Sequence, residues 1–461
     1  MPTHGPQTPR CAGPREVTMD SSKADKLFQD YSTEEVPPEK TRSWLSMGLI
    51  WSGVGISLGL LLTGGTVAEG LSIQQALVAG IIGGIILAII SSLTGIVGAR
   101  AHLSTAMVSR FAFGNQAVLL IAMLQALGSY GWFAVQLGLF SRAASTAWES
   151  TTGMQWADAP FIIAGGLLMI ATSIVGYRAL DKLSKIAVPL MLALMAASVW
   201  RILEDTSMSE IAELRGDGAA ITLGTGISLV VSSFVVGAVI APDVARYAKS
   251  PKHVVGGAVF AFAVVTPTVM AVGSLMALQT GTSDIVNILL RLGWGVLALL
   301  LLMLAQWTSN DNNLYSAALG FVVVFRSWKK WQLTGIAGVI GIILALAGIY
   351  DSFTTFLTVL GIFIPPMAGV IVVDYYITRK TEYQGGFEKT VVPVRILSLA
   401  AWATGSGVSA LTSYTDVSLT SMSAVDGLLV AGILQVIFGR YLDTRSAVSD
   451  DRSAEGYEYA D

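Results

Sequence analysis

Twelve apolar stretches run through the chain, starting near Trp44, Ile73, Asn115, Pro160, Leu183, Ala219, Val254, Trp294, Thr334, Phe353, Val392 and Val425. Most approach the roughly 20 residues an α-helix needs to cross the hydrocarbon of a bilayer; those at Pro160 and Thr334 are short. In lipid every backbone N–H and C=O must be satisfied inside the protein, so such runs become helices. The expected fold is an all-α integral membrane protein with about twelve transmembrane helices. Only 13% of the 461 residues are charged, about half the share of a soluble domain.

Lys and Arg resist translocation, so their distribution orients the chain. The connectors after even-numbered stretches carry Arg100 and Arg110; Arg178, Lys182 and Lys185; Arg246, Lys249 and Lys252; Arg326, Lys329 and Lys330; and Arg379, Lys380 and Lys389. Those after odd-numbered stretches carry only Arg142, Arg201, Arg215 and Arg291. A missed helix would scramble this alternation. Both termini are therefore expected in the cytoplasm, with the chain in the cell (inner or plasma) membrane. Residues 1–42 and 443–461 read as disordered tails around one membrane domain, 43–442. The first tail lacks the apolar core of a cleaved leader. The stretch His102 to Gly114 is too short and polar to span, and reads as an amphipathic connector.

With a net charge of −3, nucleic acid is not an expected partner. The single cysteine, Cys11, leaves no cysteine metal motif. An enzyme is not expected, since H-E-x-x-H and any histidine base within a span are missing. A channel would need charged rings or a filter-like loop, and neither is legible.

Irregular backbone at membrane depth survives only where protein or a watery cavity satisfies it. Gly53, Gly55, Gly59, Gly64 and Gly65 would let the first helix unwind; Gly224, Gly226 and Gly237, with Ser232 and Ser233, would do so in the sixth. Close helix packing through small residues is the other reading. These helices open two five-helix halves, and paired interrupted segments mark a transporter's central site.

The eighth stretch ends in Gln306-Trp-Thr-Ser-Asn-Asp-Asn-Asn313. Polarity this dense runs round the helix, and lipid exposure of Asp311 alone would cost about 2.5–3.5 kcal/mol. Other helices must enclose it. The Thr308 hydroxyl should project near the Ala305 carbonyl, with Ser309 beside it; hydroxyls plus carbonyls form a neutral oxygen cage suited to a hard monovalent cation, Na⁺ above all. No other cofactor is expected. Three roles stand for Asp311: proton relay, an ionised neighbour of the cation, or a structural partner of Tyr315.

The chain resembles the nucleobase–cation symporters, and within them the bacterial cytosine-permease branch. The resemblance lies in "LTGGTVAEGLS" (62–72), "GARAHLSTAMVSRFAFG" (98–114), "GWFAVQ" (131–136), "APDVARYAKS" (241–250), "WTSNDNNLYSAALGF" (307–321) and "IPPMAGVIVVDYY" (364–376). It implies a leucine-transporter-type fold: inverted repeats near 43–205 and 218–378, with two extra helices in 391–442. It also implies a heterocycle held between helices 1, 3, 6 and 8, stacked on Trp132 and covered by Phe234 beside Ser233. Thr308, Ser309 and Ala305, with helix-1 carbonyls near Ser57 and Leu58, would hold Na⁺. Ser129 and Ala305 stand where the cytosine branch has a glutamine and an asparagine, whereas Gln136 stands where the hydantoin branch has its pocket glutamine. Asn310 and Gln306 could supply further amide contacts. Asp243 and Arg246 would cap helix 6 and shape an inner gate. Pro365 and Pro366 should bend helix 10, either as an outer gate or as a static kink. The expected activity is import of a nucleobase or related heterocycle by Na⁺ symport with alternating access. The alternative is a proton-coupled permease for allantoin, a hydantoin or a hydroxymethylpyrimidine-type precursor. Oligomeric state is not legible.

Overall fold

The computed structural model describes residues 41–55, 58–175, 177–322, 328, 330–379, 383 and 392–455. Among them the chain is helical with no strand beyond isolated bridges. The first stretch gives α1 (Trp44–Gly55) and α2 (Leu58–Glu69), followed by α3 (Ile73–Ala101), α4 (Thr105–Phe113), α5 (Val118–Thr152), α6 (Asp158–Val175) and α7 (Tyr177–Asp205). After the short α8 (Met208–Glu213) come α9 (Leu223–Val239), α10 (Ala241–Ala245) and α11 (Pro251–Ala258). A π-helical stretch, Val259–Val265, joins α11 to α12 (Thr266–Thr280). The remainder is α13 (Ile285–Arg291), α14 (Gly295–Val322), α15 (Lys330–Leu346), α16 (Phe353–Val373) with a π-helical end at Asp374–Thr378, α17 (Ile396–Tyr414) and α18 (Ser423–Glu455).

Among the described residues, Ile73–Ala101, Val118–Thr152, Pro251–Thr280 and Phe353–Thr378 are long and apolar enough to cross a membrane by themselves. Asp158–Ile174, Leu223–Val239, Gly295–Asn310, Trp331–Leu346 and Ser423–Gly439 are apolar but shorter. The chain is a multi-pass membrane protein. α18 continues past the expected boundary at 442, because no Pro or Gly occurs between Gly439 and Gly456 to stop it.

The helices sort into two packed groups. α2, α3, α9 and α12 lie together, and α5, α6, α14 and α15 form the other. The second has its own core of Phe133, Leu137, Met169, Leu314 and Ala337. Glycines set the approach in the first. A Cβ on Gly64 would stand 2.3 Å from the Met270 carbonyl oxygen, and one on Gly273 would stand 2.2 Å from that of Leu61. The Ser274 hydroxyl donates to the Gly64 carbonyl at 2.8 Å. Gly64 and Gly65 therefore lie within an intact α2 as packing positions, not unwinding points.

The sixth helix corrects its expectation in the same way. Gly224, Gly226, Ser232, Ser233 and Gly237 all lie inside an unbroken α9. The two hydroxyls donate back along the helix, Ser232 to the Ser228 carbonyl and Ser233 to that of Val230, both at 2.7 Å. The interruption falls lower, at Ile240, where Pro242 removes the N–H that the Ala238 carbonyl would accept. Thr94 of α3 takes that carbonyl at 2.7 Å. Residues 56 and 57, between α1 and α2, lie outside the described residues.

The connector helix α4 is enclosed by the rest of the fold. Eight of its nine residues are buried, Arg110 and Phe111 among them. Arg395 N donates to the Phe113 carbonyl at 2.8 Å, and Asn115 N to that of Val392 at 2.9 Å. α16 runs as one helix through Pro365 and Pro366, both buried. Pro365 leaves the Gly361 carbonyl without its helical donor, and the Ser409 hydroxyl lies 3.4 Å from it.

Candidate functional site

Helix α5 carries Ser129, Trp132 and Gln136 at spacings of three and four, which places them on one face. Trp132 is half-buried, and its ring meets two others edge-on: Phe353 at 5.8 Å and Phe356 at 5.6 Å between centroids. A Cβ on Gly131 would stand 2.1 Å from the Phe356 ring, so any larger residue there would displace that ring. Gln136 is buried with its Oε1 unpartnered. Ser129 donates to the Gln125 carbonyl at 3.3 Å.

α14 presents two chemically different faces. Gln306, Asn310 and Asn313 share one, by their spacing of four and three. Asn310 is fully committed: its Nδ2 donates to the Phe133 carbonyl of α5 at 3.0 Å, and its Oδ1 accepts from Asn313 at 3.1 Å. Gln306 differs. It is wholly buried, and neither its Nε2 nor its Oε1 has a partner. Each unsatisfied buried group costs about 1–3 kcal/mol.

The other face carries Ala305, Thr308 and Ser309. The Thr308 hydroxyl donates to the Ala305 carbonyl at 3.0 Å, the contact that the sequence predicts. The Ala305 carbonyl, inside the unbroken helix, is thus occupied by that hydroxyl and by the Ser309 N–H one turn on, and only the lone pairs of the hydroxyl oxygen stay open. Among the described residues no group of three or more His, Cys, Asp or Glu could hold a metal. Ser57 lies outside the described residues; Leu58 opens α2, and its side chain lies outside them too. Asp311 is helical in α14, with its side chain likewise outside the description.

Phe234 and Trp132 make different ring contacts. Phe234, buried in α9, packs edge-on against Phe262 at 5.2 Å and Trp51 at 6.4 Å. The residues facing Trp132 come from α16 instead. The Phe353–Phe356 spacing at the start of the tenth stretch is the only sequence signal for this, and the prolines downstream draw attention away from it.

Asp243 and Arg246 have separate tasks. Asp243 Oδ1 accepts from Thr105 N at 2.8 Å, so it caps α4 and not the sixth helix. Arg246 Nε donates to the Asp243 carbonyl at 3.1 Å, and its guanidinium lies 5.0 Å from the Tyr247 ring centre. At the far end of α16, Asp374 accepts from Arg379, from the Tyr383 hydroxyl at 2.8 Å and from Gln435 of α18 at 2.9 Å. Burial, and then the neighbouring carboxylate, hold the Tyr383 phenol well above its ordinary pKa, so it remains a donor.

A family model described as "Permease for cytosine/purines, uracil, thiamine, allantoin" matches residues 35–386. The cytosine permease of Escherichia coli strain K12 is 31% identical over 377 residues, covering 82% of this chain and 88% of its own length. Mhp1, a nucleobase-cation-symport-1 family transporter with bromovinylhydantoin bound in a closed conformation, aligns with a TM-score of 0.75 at 21% identity, over 90% of this chain and 96% of that one. A Na⁺-coupled sialic acid symporter aligns at 0.61 and 13% identity, over 91% and 92%. The two structures fix the fold as that of these transporters. The chain belongs to the cytosine/purine permease family; it is a membrane transporter and not an enzyme.

Proposed function

We propose that this permease imports a nucleobase or a closely related small heterocycle together with Na⁺, by alternating access across the cell membrane. Twelve spans, repeats near 43–205 and 218–378, and cytoplasmic termini complete the reading. The observation that supports it most is Gln306, an amide enclosed on every side with both polar ends unpaired on the helix packed against α5. A neutral heterocycle with a donor and an acceptor on one edge matches both ends at once. Gln136 offers a second acceptor one turn from Trp132. An aromatic stack contributes about 1–3 kcal/mol per base in nucleic-acid proteins, and Trp132 is the ring for it.

Thr308 and Ser309 would contribute oxygens to Na⁺, joined by carbonyls near Ser57 and Leu58. Coupling arises when both ligands favour the same closed state. Ser233, Phe234 and Asn310 shape the walls, with Ser129 near Trp132.

Proteoliposomes test this directly. An inward Na⁺ gradient without a pH gradient should drive uptake of a radiolabelled base, and competition by cytosine, purines, uracil, hydantoins and pyrimidine precursors should rank the substrate. Uptake driven only by a pH gradient would replace Na⁺ with H⁺ and return attention to Asp311.

A further inference from the structure

We infer that Arg142 is a positioning residue: by joining Asp284 to Asp351 it seats Phe353 and Phe356 of α16 against Trp132. The inference rests on the reading of Trp132 as the substrate's stacking ring. Arg142 lies ten residues beyond Trp132 on α5, about 15 Å along the helix axis.

One guanidinium serves two connectors. Its Nε lies 3.1 Å from Asp284 Oδ2, and its Nη1 lies 3.2 Å from Asp351 Oδ1. The group also sits 5.8 Å from the Tyr350 ring centre. Asp284 is already the N-cap of α13, where its Oδ1 accepts from Val286 N at 3.0 Å. Arg142 thus fixes the start of α13 and the residues just before α16 to a single point on α5. One turn earlier on α5, a Cβ on Gly138 would stand 2.7 Å from the Cβ of Tyr350, so the connector lies flat on the helix. Only Ser352 separates Asp351 from Phe353, and Phe356 follows one turn later. The ring pair over Trp132 therefore inherits its position from the Arg142 contact.

An ordinary surface ion pair joins two side chains and contributes little. Here three pieces of chain converge on one planar donor group whose separate nitrogens address separate carboxylates. Lysine, a single point charge, cannot reproduce that fork.

The test uses the full chain in proteoliposomes, with Cys11→Ser and Ser129→Cys as a reporter one turn from Trp132. Arg142→Ala should raise the rate of labelling by a membrane-impermeant maleimide about fivefold, Asp351→Asn about twofold, with Arg142→Lys in between. The exchange Arg142→Asp with Asp351→Arg should restore part of the protection. In uptake, Arg142→Ala should raise KM severalfold more than it lowers the maximal rate. Unchanged labelling in Arg142→Ala, with normal membrane insertion, overturns the inference. If Arg142→Ala fails to fold, Asp351→Asn decides alone, and an unchanged rate there overturns it too. Labelling needs no substrate, so failure of base transport would strike the functional proposal and leave this result standing.

Discussion

Helix α16 is held at its two ends by charged clusters that differ in how far water reaches them. At the Phe353 end, the Arg142, Asp284 and Asp351 side chains are 40%, 17% and 71% exposed. At the Thr378 end, Asp374 and Arg379 are 0% and 3% exposed. Taking both charges out of water costs several kcal/mol per ion, recovered only if every lone pair finds a donor. Asp374 goes most of the way: its Oδ1 accepts from Arg379 and Gln435, and its Oδ2 from Tyr383. Such a knot holds or fails as a unit, whereas the exposed cluster can exchange its partners for water at little cost. One helix thus has a fixed end and a releasable one, and the releasable end carries the rings over Trp132.

The sharpest way to break this comparison is at the fixed end. Asp374→Asn removes the buried carboxylate on which Arg379, Tyr383 and Gln435 converge, and should destabilise the protein by about 3–5 kcal/mol. Thermal unfolding in detergent would register that as a large fall in midpoint. A double substitution, Asp374→Leu with Arg379→Met, should lose less than Asp374→Asn alone, because both members of the buried ion pair then go together. Equal losses would mean that Asp374 acts only through its neutral hydrogen bonds.

A smaller loss is expected where a proline, not a charge, creates the need. Thr94→Val withdraws the donor from the Ala238 carbonyl that Pro242 leaves free, so about 1–3 kcal/mol should go. A neutral outcome would show water taking the hydroxyl's place. Gln306→Leu runs the other way. Removing two unpaired buried groups should raise stability by about 1 kcal/mol while uptake falls at least about tenfold. Reduced stability with uptake intact would detach Gln306 from the ligand.

Much of this was legible in the sequence, for physical reasons. Hydrophobic length located the four helices that are long enough to cross a membrane by themselves, because lipid imposes a minimum, and the Thr308–Ala305 contact followed from helical geometry alone. What was not legible depended on partners distant in the chain. Gly64 reads alike as an unwinding point or a packing notch until Met270 is seen against it. Asp243 looks like a cap for its own helix, but the open N–H it meets belongs to Thr105. The Phe356 ring sits against Trp132 in space that Gly131, far upstream, leaves open. α4 reads as an amphipathic connector, but neither its burial nor its tie to residues 392–395 is encoded locally.

The smallest expected effect sharpens the comparison most. Asp351 is the most exposed member of the outer cluster, so Asp351→Asn should change global stability by no more than about 0.5–1 kcal/mol. Its influence should instead depend on salt. At 1 M ionic strength the Debye length falls to about 3 Å, and a water-accessible pair is largely screened. Reporter labelling beside Trp132 should then rise in the unaltered protein and converge on that of Asp351→Asn. The midpoint of unfolding, set in part by the dry Asp374 knot, should hardly move with the same salt. A midpoint that tracked salt while labelling did not would reverse the roles of the two ends.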